Sequence, residues 1–109
     1  MRVLYHPNFP KDIRKFEAEY GRVSAGLATR FRQEVDDALA AIQAAPLAAG
    51  HFVQLGSRVV RECRRRNLRA FPFFVLYGLA EDRLIFGSLI PSRSDPLTWL
   101  ARFGGGVSG

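Results

Sequence analysis

The sequence predicts an α+β domain: a short N-terminal strand and a helical hairpin packed on an antiparallel sheet, closed by a short C-terminal helix. Three observations predict it. Apolar residues recur at a helical period up to Pro46, and the period drops to two between residues 58 and 90. Runs of helix pattern followed by runs of strand pattern indicate α+β rather than alternating βαβ units. A chain of 109 residues with 48% hydrophobic content and nine Phe can build one domain with a real core but not two domains.

The elements follow in order. Arg2-Val3-Leu4-Tyr5 reads as a short strand closed by His6-Pro7. Phe9, Ile13, Phe16 and Tyr20 then form a helical stripe, with Asn8 or Phe9 at its entry and Pro10 in its first turn. Gly21 is the expected C′ stop. Ser24 is the expected N-cap of a longer helix whose apolar face carries Leu27, Phe31, Val35, Ala38, Leu39 and Ile42. Pro46 ends that helix, and Leu47 to Ser57 reads as a loop.

Three strands with turn-length connections are expected beyond it, over residues 58–66, 71–79 and 83–90, as an antiparallel meander. The middle strand is apolar on both faces, with Phe71, Phe73, Val75 and Tyr77 on one and Phe74 and Leu76 on the other. Pro91 breaks the run. Asp95 and Pro96 open the short final helix bearing Leu97, Trp99 and Leu100. Residues 1–103 are expected to be a single domain and 104–109 a flexible Gly-rich tail.

Composition excludes several classes. A disordered tail would not carry this apolar content. No apolar run approaches the roughly 18 residues of a membrane span, and Met1 to Pro10 lacks a secretory h-region. The lone Cys63 cannot form an internal disulfide, which suits a reducing cytoplasm. No metal-ligand spacing, Gly-rich phosphate loop or Ser/His/Asp set is present, so neither metal nor cofactor is expected.

Charge is the more specific signal. Sixteen Lys and Arg against ten Asp and Glu give a net charge of +6, and fourteen of the sixteen cations are Arg. Residues 58–109 alone carry nine Arg and four acids. Six of those Arg fall within residues 58–69, where like charges at neighbouring strand positions repel. An anionic partner, either a phosphate backbone or an acidic peptide, would offset that repulsion. The candidate contact residues are Arg61, Arg64, Arg65, Arg66, Arg69 and Arg93. The second apolar face of the middle strand, Phe74 with Leu76, is either covered by Trp99 and its neighbours or is a groove for another chain. His6, His51 and Cys63 have no evident acid/base partner, and alternation with Val59 makes Cys63 a buried thiol.

The string Arg64-Arg65-Arg66-Asn67-Leu68-Arg69-Ala70-Phe71-Pro72-Phe73-Phe74-Val75-Leu76-Tyr77 resembles the central strand of RelE/ParE-type toxins. A short acidic turn, an apolar strand and the close Pro96-Leu97-Thr98-Trp99-Leu100-Ala101-Arg102 follow in that family's order. The resemblance spans about residues 1–103. It implies a cytoplasmic toxin of a bacterial type II toxin–antitoxin pair, with two helices on an antiparallel sheet. A cognate acidic antitoxin would cover the basic and apolar surface, through Phe74, Leu76 and Trp99, and admits a higher-order hetero-oligomer.

The family contains ribosome-dependent mRNA interferases and non-nucleolytic inhibitors of DNA gyrase. Phe74 stands where the interferases carry a phosphate-binding Arg, Pro91 where many carry His, and no Tyr matches their C-terminal one. The expectation is therefore the gyrase-directed, ParE-like branch with no assigned catalytic residue. The alternatives are an mRNA interferase acting on the ribosome and a stand-alone nucleic-acid-binding module.

Overall fold

In the computed structural model, which describes residues 1–55 and 60–93, the chain runs as one strand, two helices and four strands. These are β1 (Arg2–Tyr5), α1 (Phe9–Gly21), α2 (Ala25–Ala44), β2 (His51–Leu55), β3 (Glu62–Asn67), β4 (Phe73–Ala80) and β5 (Arg83–Pro91). The expected strand start at Arg58, the final helix with Leu97, Trp99 and Leu100, and the tail 104–109 lie outside the described residues.

Local signals set the helices. The Ser24 hydroxyl accepts the Leu27 N–H at 3.0 Å, as an N-cap should. Pro10 lies in the first turn of α1, where its missing N–H costs nothing. The Asn8 side chain makes no capping bond; His6 Nδ1 accepts the Asn8 N–H at 3.1 Å instead. Gly21 is not the stop that the sequence predicts. It is the last residue of α1, Arg22 keeps right-handed dihedrals, and no described glycine has positive φ. The Val23 and Ser24 N–H groups, both bonded to Tyr20 O, terminate the helix without a left-handed residue.

The sheet is five-stranded with the order β1-β5-β4-β3-β2. β3, β4 and β5 form the expected antiparallel meander. Two expectations fail together. The segment 47–57 is not all loop, because β2 pairs antiparallel with β3 at the sheet edge. The sheet is mixed rather than antiparallel, because β1 pairs in parallel with β5. The physical link is a count of chain reversals. If each short connection turns the chain back, passing directly from α2 to β3 would leave β1 antiparallel to β5. The extra strand adds one reversal and makes the pair parallel.

The helices cover one face. α1 packs on β5 and α2 on β3 and β4. Phe9, Ile13, Phe31, Val35 and Ile42 meet Phe71, Phe73, Val75 and Tyr77 there, the face that alternation predicts. Tyr20, Phe31, Phe71 and Phe73 pack with ring centroids 5.0–6.2 Å apart, mostly edge to face. Fully burying a side chain such as Phe31 contributes about 3 kcal/mol, so this aromatic group dominates the core. The opposite face holds a second buried cluster of Val60, Cys63, Phe74, Leu76 and Ile90. β5 serves both faces, and a bulge shifts the phase of its alternation: Leu76 pairs with Ser88 but Tyr77 with Phe86. Leu84, Phe86 and Leu89 thereby all reach the helix side.

Candidate basic surface

The register of β3 sorts the Arg cluster by face. Arg64 and Arg66 stand opposite Tyr77 and Val75, residues of the helix-side core. Cys63 and Arg65 stand opposite Gly78 and Leu76, on the other face.

Arg64 and Arg66 are committed within the fold. Arg64 Nε donates to Glu62 Oε2 at 2.5 Å, and its Nη1 donates to the carbonyls of Leu47 and Gly50, each at 3.0 Å. Arg66 Nη1 donates to Ala49 O at 2.7 Å. The Tyr77 hydroxyl donates to Pro46 O at 2.7 Å. Three side chains of the sheet thus satisfy the carbonyls of the segment leaving α2, whose own residues offer no side-chain donors there. Burial pushes the Tyr77 phenol above its ordinary pKa, against the opposing pull of the Arg64 and Arg66 charges. The cationic strand has therefore acquired a structural function as well as a surface one.

The remaining cations point to different parts of the surface. Arg61 is exposed, and its N–H donates to Leu79 O beside the start of β3. Arg65 is half-buried, with its guanidinium 4.8 Å from the Phe74 ring centroid, a cation–π contact. Arg69 and Arg93 are both exposed at the other end of the strands. They are brought to one end because Ser92 N–H donates to Pro72 O, tying the turn after β5 to the connection before β4. A cleft of about 490 Å³ lies beside Arg66, Asn67 and Arg69, bounded across by Glu34 and Asp37 of α2.

Phe74 and Leu76 present almost no surface, at 1% and 0% exposure. They are core residues of the second cluster and not an open groove, which corrects the accessible-groove expectation for that pair. Trp99 lies outside the described residues.

The groups considered for acid/base work are elsewhere. His6 closes the entry to α1, and His51 is exposed on the edge strand β2, opposite Arg65. Cys63 is buried, and desolvation pushes its thiol up to about 12 despite the nearby arginines. It is inert, because the thiolate is the reactive form. Among the described residues, no three His, Cys, Asp or Glu side chains could together hold a metal ion, and no helix is long and apolar enough to cross a membrane.

Sequence reasoning missed two carboxylates that wire this region. Asp12 Oδ2 accepts the Leu89 N–H at 3.2 Å, on the stretch of β5 beyond its last β1 partner, Phe86. Glu34 accepts the N–H groups of Arg69 and Ala70 at 2.8 and 3.0 Å. Both lie on helices at positions that read as ordinary solvated acids, and only tertiary contact reveals their acceptors. No protein-family model matches the chain, and no curated protein matches it.

Proposed function

We propose that the chain is a growth-inhibiting toxin of the RelE/ParE type that acts on DNA gyrase without cutting RNA. The observation that carries this is Phe74. The position where the interferase branch would place a phosphate-binding Arg holds a fully buried ring under the Arg65 guanidinium. Arg64 and Arg66 support the same conclusion, since their charges are bound to Glu62 and to backbone carbonyls rather than offered to a phosphodiester. Of the six candidate arginines, Arg61, Arg69 and Arg93 are the exposed ones that could meet an anionic target or a cognate acidic antitoxin. Such an antitoxin reaches these arginines directly, but reaches Phe74 and Leu76 only by displacing what buries them.

Pulse-labelling of DNA and protein synthesis after induced expression tests the proposal. DNA synthesis is expected to fail first, with purified chain then inhibiting gyrase supercoiling in vitro. If protein synthesis stops while replication continues, the chain is a ribosome-directed interferase instead. If neither changes, the fold serves another purpose, with a nucleic-acid-binding module next in line.

A further inference from the structure

Glu34 lies midway along α2, and its carboxylate reaches the connection between β3 and β4. Oε1 accepts the N–H of Arg69 at 2.8 Å and of Ala70 at 3.0 Å, while Oε2 lies 3.2 Å from the Ala70 nitrogen. Bonds to an ionised acceptor are about twice as strong as neutral ones. That connection is already held from within. Leu68 and Phe71 are buried at 8% and 7% exposure, Leu68 N–H donates to Phe73 O, and Pro72 O accepts the Ser92 N–H. The core contacts fix the two ends of the connection. What the carboxylate adds is a fixed peptide orientation at residues 69 and 70, from which the exposed Arg69 side chain departs.

We propose that Glu34 is a positioning residue: it holds the Arg69 backbone so that Arg69 and Arg93 meet the target from one rigid end of the sheet. This role rests on the toxin function proposed for the chain. It makes a prediction opposite in sign to that of simple charge. Glu34→Ala raises the net charge and removes the acceptor, so a field effect alone would tighten contact with an anionic surface. Loss of positioning would weaken it.

Growth arrest on induction is measured for the full-length wild type, Glu34→Ala, Arg69→Ala, the double variant, and Glu19→Ala as a control with the same charge change on the exposed face of α1. Alanine is used because a Gln amide oxygen would still accept both N–H groups. Amide exchange at residues 69 and 70 is followed on each purified protein. Glu34→Ala is expected to need about fivefold more protein for half-maximal arrest, as is Arg69→Ala, with no further loss in the double variant. Glu19→Ala is expected to match or exceed the wild type. Exchange at residues 69 and 70 should accelerate in Glu34→Ala while the core amides stay protected.

Unchanged or stronger arrest by Glu34→Ala overturns the positioning role, and so does additive loss in the double variant. Slow exchange at residues 69 and 70 in Glu34→Ala overturns the latch itself. A wild type that arrests nothing overturns the toxin function and the positioning role with it, and the exchange rates then still report on the latch separately.

Discussion

At the scale of single residues, Gly50 is the described glycine with the least room for a side chain, and Tyr77 is what crowds it. A Cβ at Gly50 would collide with the Tyr77 hydroxyl and lie 2.9 Å from the Arg65 carbonyl oxygen, so glycine is needed there for space. Gly50→Ala is therefore expected to destabilise by about 1–3 kcal/mol in denaturant unfolding, as overpacking does. Tyr77→Phe removes the bond to Pro46 O and should cost about 1 kcal/mol. It also removes the colliding oxygen. The double variant should then be more stable than the sum of the two losses predicts, and additive losses would refute the contact. Gly50 reads in the sequence as one more loop glycine, because the hydroxyl that constrains it is twenty-seven positions away in the chain.

At the scale of elements, β3 shows why a charge cluster is not automatically a binding site. Alternation sends Arg64 and Arg66 toward the segment leaving α2, where each binds backbone oxygens. Replacing either by Ala should lower stability by about 1–3 kcal/mol, since charged donors would be lost and carbonyls left unpaired. Arg61→Ala and Arg69→Ala should change stability by no more than about 0.5 kcal/mol, as surface substitutions do. Neutralising the triplet 64–66 would thus confound folding with function, whereas Arg61, Arg69 and Arg93 give a clean test of the surface. Equal thermal melts for Arg64→Ala and Arg61→Ala would contradict this division. β2 belongs to the same scale: its pairing with β3 is what these clamped carbonyls support, and its extra reversal sets the direction of β1.

At the scale of the whole molecule, two apolar clusters on opposite faces make one sheet the centre of the protein. The second cluster includes a thiol whose pKa burial raises to about 12 from an ordinary 9.0. Its folded form holds the proton more tightly than its unfolded form. The resulting stability is fully present below pH 9, and it is lost as the pH climbs toward about 12, where the unfolded thiol is already ionised. The Tyr20 and Tyr77 phenols, also raised mainly by desolvation, shift in the same direction above pH 10. Denaturant unfolding should show a midpoint that falls steadily from pH 9 upward, and Cys63→Ala should flatten the first part of that slope. A wild-type midpoint independent of pH over this range would mean that the thiol is solvated. The same burial predicts that a thiol reagent labels Cys63 only when the chain unfolds.

Local pattern alone determined the two helices, the three-strand meander, the sorting of β4 side chains between its faces and the buried state of Cys63. Those features follow from periods of 3.6 and 2 and from caps such as Ser24, which act over a few neighbouring residues. Tertiary contact decided the rest. β2 carries only three apolar residues in five and is bounded by small residues, so it becomes a strand only beside β3. The parallel pairing of β1 depends on that strand, and the β5 bulge puts Leu89 on the face of Leu84 and Phe86, where unbroken alternation would not. Which arginines are structural was equally illegible, because Arg64 and Arg66 find their backbone acceptors at least fourteen residues back in the chain. A hydrogen bond between distant segments leaves no periodic trace in sequence; the fold has to bring donor and acceptor together before either acquires a role.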